Sequence, residues 1–154
     1  MPMIDCKFKL NNKPMSVFEY GAAHFPAFSG LGRHANQWGS ACLVGEGPIP
    51  PGEYYIFDRQ SGGRLGELHD WRNGRSNWFA LHALDANIDD ETYCNKVKRG
   101  LFRLHGNGAM GRSEGCIVIE NPTDYQSLRA ILKSRAPTAV PGSTLVAYGK
   151  VRVW

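Results

Sequence analysis

The chain has 154 residues, 42% hydrophobic and 21% charged, the balance of one globular domain rather than of a disordered segment. Eighteen basic against fourteen acidic residues leave a net charge of +4; this suits an acidic polymer as substrate, but without a dense Lys/Arg stripe it falls short of a nucleic-acid footprint. No apolar run approaches the roughly 20 residues that span a bilayer, so membrane insertion is not expected, and residues 1–7 lack the basic and apolar regions of a secretory signal peptide.

In chain order, residues 5–10 and 15–20 flank Asn11-Asn12-Lys13-Pro14 and read as a β-hairpin. Residues 21–52, dominated by Gly, Pro, Ser and Asn, read as a long structured loop. Its end, Pro48-Ile49-Pro50-Pro51-Gly52, is a stiff turn that launches a strand over 53–57. A second polar, Gly-rich excursion covers 61–77. Residues 78–82 and 101–105 are strand-like, and the basic cluster 96–99 between them reads as a solvated surface turn. A short buried strand follows at 116–119.

One helix is well signalled at about 121–135. Asn121 can N-cap, Pro122 takes the first helical position, and Asp124 is favoured by the helix dipole. Tyr125, Leu128, Ile131 and Leu132 form one apolar face, and Pro137 and Pro141-Gly142 stop the helix. Residues 144–148 and 150–154 close the chain as a hairpin turning at Gly149. With 18 Gly and 9 Pro spread along it, the chain reads as one mainly β, antiparallel domain over 1–154, with one packed helix and long Gly/Pro-rich loops.

The four cysteines, Cys6, Cys42, Cys94 and Cys116, contain no C-x-x-C, so neither a structural zinc site nor a disulfide framework is indicated. One bridge among Cys6, Cys42 and Cys94 is compatible with an oxidising compartment.

The chemically informative stretch runs from His105-Gly106 to Ser113-Glu114-Gly115-Cys116. His105 ends one strand and Cys116 begins another, with four glycines between them to let the chain curl back. If the two strands pair antiparallel, opposite Cα atoms lie about 4.5–5.5 Å apart and the imidazole reaches the sulfur. A thiol with a pKa near 8.5 needs such a partner to become a nucleophilic thiolate. Gly115 permits the tight backbone that aims the amides of Gly115 and Cys116, with that of Glu114, at a reacting carbonyl as an oxyanion hole. Ser113 can bond the loop or orient the imidazole. His24, His34 and His69 read as surface loop residues. His82 reads either as a second histidine in the cleft or as a sheet histidine. Tyr54, Trp38, Trp71 and Trp78 read as groove or core aromatics.

This His-Gly…Ser-x-Gly-Cys pattern, with its Phe102-Arg103-Leu104-His105 lead-in and the upstream Ile49-Pro50-Pro51-Gly52-Glu53-Tyr54-Tyr55-Ile56, resembles the YkuD-type L,D-transpeptidases. Within them it looks most like the branch of type VI secretion effector toxins, over roughly residues 48–146. The resemblance implies a β-rich catalytic domain that works without cofactor or metal. Cys116 would be the nucleophile and His105 the base of an acyl-enzyme formed on peptidoglycan stem tetrapeptides. Attack at the third, diamino-acid residue would release the terminal D-alanine; water completes an L,D-carboxypeptidase cycle, and an amine acceptor gives transpeptidation or D-amino-acid exchange. It further implies delivery by the type VI secretion machinery without a signal peptide, action in the periplasm of a target bacterium, and a cognate periplasmic immunity protein.

Two positions depart from the family pattern: Glu114 stands where a histidine is common, and Val118 where an arginine often follows the cysteine. Contacts made by those groups in relatives do not carry over; the candidate substrate-binding residues are Gly106, Glu114, His82 and Tyr54, with Arg103 or Arg112 as the cation for a stem-peptide carboxylate. Two rival readings are a papain-like peptidoglycan endopeptidase or amidase, disfavoured because Cys116 follows the histidine and heads an apolar β run, and a non-catalytic wall-binding domain.

Overall fold

Alternating apolar residues wrap the strands around a main core, and a second, smaller apolar cluster gathers Tyr55, Phe57, Ala80, Val140 and Ala147. The computed structural model describes residues 3–58, 78–84, 91–107 and 115–154. Strand β1 (Ile4–Phe8) buries Ile4, Cys6 and Phe8 and exposes Asp5 and Lys7, the period-two pattern of a strand with one face inward. It forms the expected hairpin with β2 (Ser16–Tyr20), Phe8 opposite Phe18. Next comes β3 (Ala23–Phe28), which sets Phe25 opposite Phe18. This strand corrects the reading of 21–52 as loop throughout, since Pro26 and the flanking glycines mask a short period-two run. The rest of the segment carries two 3-10 turns, Gly32–His34 and Trp38–Ser40. Buried Asn36 anchors them, its Oδ1 accepting from the Ser29 amide at 2.9 Å and its Nδ2 donating to the Lys13 carbonyl at 2.9 Å.

The chain continues through β4 (Gly52–Asp58) and β5 (Phe79–Ala83). A separate ribbon, β6 (Glu91–Cys94) and β7 (Val97–Gly100), then turns at Asn95 and Lys96, both at positive φ (47° and 69°). The basic cluster at 96–99 is therefore a turn residue followed by a strand, and Arg99 is buried rather than solvated. After it come β8 (Arg103–Gly106), β9 (Ile117–Ile119), helix α1 (Pro122–Lys133), the short strands β10 (Thr138–Ala139) and β11 (Val146–Ala147), and β12 (Gly149–Val153).

Eight strands close a barrel in the order β1-β12-β4-β5-β8-β9-β3-β2. The domain is mainly β with one α-helix among the described residues. Most neighbours are antiparallel, but β1–β12 and β8–β9 run parallel. The last two strands do not form the expected hairpin. β11 pairs with β10, while β12 runs between β1 and β4, because its alternating Val151 and Val153 face the core.

The inward set includes Phe8, Phe18, Ile56, Phe79, Leu104, Ile117 and Ile119, all essentially inaccessible to solvent. Burying each such side chain stabilises the fold by about 1.5–3 kcal/mol. Helix α1 starts as its sequence signals, with the Asn121 side chain accepting from the Thr123 amide at 2.8 Å. It buries Tyr125, Leu128 and Leu132 against the barrel.

Candidate active site

The site begins with the parallel pairing of β8 and β9. Leu104 lies opposite Ile117 and His105 opposite Val118. An antiparallel pair was expected here. Instead, the ten residues between Gly106 and Ile117 carry the chain back to the starting end of β8. Fully extended they would span roughly 33–36 Å, far more than the about 13 Å length of a four-residue strand.

The parallel register is compatible with a histidine and a cysteine on one sheet face. Leu104, Ile117 and Ile119 face the core, so His105 and Val118 face outward. Carrying the alternation one residue ahead of β9 puts Cys116 on that same face, diagonal to His105. Diagonal neighbours on one sheet face are separated by about 7–8 Å between Cα atoms, within reach of side chains.

His105 is buried and its ring is fixed on two sides. Trp78 stacks on it at 3.9 Å between centroids and 13° between planes. Its Nδ1 lies 2.9 Å from the Gly106 carbonyl oxygen. A carbonyl only accepts, so Nδ1 donates and the neutral ring carries its basic lone pair on Nε2. The Gly106 backbone thus helps to orient the ring; Ser113, considered for that role, lies outside the described residues. Gly106 also has a packing role, because a Cβ there would sit 3.0 Å from the Tyr125 Cβ of α1.

Cys116 is not part of a disulfide and is partly exposed. Gly115, before it, has φ +103°, a conformation that side chains other than glycine's rarely adopt. A Cβ at Gly115 would also lie 2.7 Å from Arg99 Nη2 and 2.8 Å from the Phe102 ring. Cys116 opens onto a cavity of about 480 Å³, walled by Val44 and Gly45 on one side and by Glu91, Lys98, Arg99, Gly100 and Leu101 on the other. The two walls are joined covalently, as Cys42 forms a disulfide with Cys94. Arg99 joins them again. Its Nη1 donates to the carbonyls of Ala41 and, at 3.2 Å, Pro48, and its Nη2 donates to that of Gly47 at 3.1 Å. Burial pulls the guanidinium below its ordinary pKa, yet arginine stays protonated in proteins.

Other residues singled out in the sequence take different places around the barrel. Tyr54 is core, donating to the Pro50 carbonyl at 2.7 Å and meeting Phe102 edge-on. His82 lies opposite Tyr55 with its ring 5.0 Å from Phe57, four residues along β5 from the Trp78 that covers His105, or about 13 Å. Arg103 shares the outer face of β8 with His105, and its Nη1 donates to the Phe102 carbonyl at 2.8 Å. Arg112, Ser113 and Glu114 lie outside the described residues, as does the excursion at 61–77. Among the described residues no group of three or more His, Cys, Asp and Glu side chains gathers where it could hold a metal ion.

Sequence reading missed Arg99 and did not assign Trp78. For Arg99 the available signal was a two-residue Asn-Lys turn between two four-residue runs, which makes a hairpin and gives Arg99 an inward face.

A family model described as the Tlde1 domain matches residues 23–143, more than three-quarters of the chain. The chain belongs to the Tlde1 family. Tlde1 proteins are type VI secretion effectors of the L,D-transpeptidase kind, directed at peptidoglycan. No curated protein and no solved structure matches the chain significantly. The match spans both walls of the cavity, β8 and β9, and the whole of α1, so the Tlde1 assignment covers His105 and Cys116. No helix among the described residues is long and apolar enough to cross a membrane.

Proposed function

We propose that this Tlde1 protein is a cysteine acyl-transfer enzyme that removes the terminal D-alanine from peptidoglycan stem tetrapeptides and also exchanges it for other D-amino acids. The observation that supports the reading is the parallel pairing of β8, which carries His105, with β9, which Cys116 immediately precedes, together with the Nδ1 of His105 committed to the Gly106 carbonyl. The sequence then fits a short reaction path. Nε2 of His105 takes the Cys116 proton, and the thiolate attacks the carbonyl of the diamino-acid residue. The negative oxygen of the tetrahedral intermediate is met by the amides at Gly115 and Cys116, each donor worth about 3–4 kcal/mol. Collapse expels D-alanine, whose amine takes the proton back from the imidazolium. Water then attacks the thioester to finish a carboxypeptidase cycle, or the amine of a second amino acid does so to finish an exchange.

We assign the cation for the substrate carboxylate to Arg103 or Arg112 and further substrate contact to Gly106 and Glu114, on the sequence pattern alone. The oxidised Cys42–Cys94 pair agrees with work in the periplasm of a target cell, after delivery by the type VI machinery. There a cognate immunity protein would cover the cleft. The test is muropeptide analysis by mass spectrometry. Wild type should convert tetrapeptides to tripeptides with loss of one alanine, and Cys116→Ala and His105→Ala should each lower the rate at least about 1,000-fold with the fold retained. Cleavage elsewhere in the stem, or full activity in either variant, would refute the reading.

A further inference from the structure

Arg99 is 4% exposed, and its hydrogen-bond partners among the described residues are backbone carbonyls, those of Ala41, Gly47 and Pro48. A guanidinium paired with a carboxylate presents little net charge to its surroundings. One held by neutral dipoles keeps its positive field, which acts strongly where water is scarce. That field is applied at the turn carrying the nucleophile. Nη2 lies 2.7 Å from the point a Gly115 Cβ would occupy, and Arg99 and Cys116 line the same cavity. The Phe102 ring backs the guanidinium at 5.4 Å.

We propose that Arg99 is a positioning residue for Cys116: it braces the Gly115 turn against residues 41–48 and supplies the charge that favours thiolate over thiol. The inference rests on the reading above only in taking Cys116 as the nucleophile. Arg99 neither gives nor takes a proton; the thiol proton leaves to His105 or to water. Among the described residues, further charged or titratable groups lie across the cavity and on β8. Glu91 and Lys98, across the cavity, pair with each other at 2.9 Å. His105 and Arg103 lie on the outer face of β8, and residues 108–114 fall outside the described residues.

The test is the pH dependence of iodoacetamide alkylation of the full chain with its disulfide intact. The label then reports on Cys116, because Cys42 and Cys94 are bonded and the Cys6 thiol is pushed up to about 12 by burial and, less, by Asp5. The wild-type midpoint should lie well below 8.5. Arg99→Met should raise it by about one pH unit or more, and Arg99→Lys, which keeps the charge but loses the fork, by less. A folded Arg99→Met protein with the wild-type midpoint would overturn the proposal. If that variant does not fold, Arg99→Lys and Gly115→Ala decide, since a Cβ at Gly115 must displace the guanidinium. Unmoved midpoints in both would overturn it equally. A wild-type midpoint at the ordinary thiol value, with no alanine released, sinks the nucleophile assignment and this inference together; a low midpoint indifferent to Arg99 sinks this inference alone.

Discussion

At the scale of single residues, the site shows one group serving two purposes. Gly106 offers its carbonyl to His105 and its missing Cβ to Tyr125. Gly106→Ala should therefore destabilise the protein by about 1–3 kcal/mol through overpacking against α1. In a domain of this size that is a fall in melting temperature of roughly 2–12 °C. The same push on β8 should tilt the imidazole and lower alanine release, which calorimetry and muropeptide assays together would show. An unchanged melting curve would mean that α1 yields freely. Gly106, Gly115 and Cys116 could be singled out from sequence because a Gly beside a candidate nucleophile or a candidate base has a local reason. Arg99 could not, because its purpose depends on carbonyls 51 to 58 residues away.

At the scale of elements, the ribbon β6–β7 belongs to no barrel sheet, yet it forms one wall of the cavity at Cys116. It is held to the opposite wall by Arg99 and by the Cys42–Cys94 bridge, which closes a loop with a sequence separation of 52 residues. Removing the bridge by a Cys42→Ser/Cys94→Ser pair should cost about 2–4 kcal/mol of stability, a melting-temperature loss of roughly 5–15 °C. Catalysis should fall further than stability alone predicts at temperatures where the barrel stays folded, because the wall at residues 41–48 is loosened. Equal activity of the two proteins at 20 °C would show that the bridge serves stability only.

A second clamp secures α1. Lys133 Nζ lies 2.6 Å from Asp58 Oδ1 and 3.1 Å from the Tyr148 hydroxyl, which itself donates to Asp58 Oδ2 at 2.8 Å. Burial alone would lower the Lys133 pKa, but the hydrogen bonds and charge of Asp58 and Tyr148 outweigh it and the net shift is upward. A raised lysine pKa contributes stability that is complete below the ordinary value of 10.5 and is lost as pH rises through the folded-state value. The gap in melting temperature between wild type and Lys133→Met should thus be constant from pH 7 to 9 and close at higher pH. A gap that persists in strong alkali would assign the effect to packing of the lysine stem.

At the scale of the whole molecule, the barrel closes by pairing β1 with β12, elements from opposite ends of the described chain. Ile4 lies opposite Gly149 and Phe8 opposite Val153. Gly149 is required there, as a Cβ would sit 2.6 Å from the Ile4 carbonyl oxygen. Deleting residues 149–154 should leave β1 and β4 each without one neighbour, open the barrel and abolish the near-ultraviolet circular dichroism of the folded core. A truncated protein that keeps that signal would show that the remaining strands hold the core without closure.

The division between what was legible in the chain and what was not follows the range of the interactions. Sequence alone determined the β class, the helix at Pro122–Lys133 with its Asn121 cap, the first hairpin, and the candidacy of His105, Gly115 and Cys116. Each of these rests on neighbours within a few residues, through alternation, capping or backbone freedom. Only the tertiary structure decided that β8 and β9 run parallel, that β12 joins β1 rather than β11, that Cys42 meets Cys94, and that Arg99 stands behind the Gly115 turn. Strand direction, disulfide partnership and the burial of a lone cation are settled by closing one barrel around one core, and no short window of residues contains that constraint.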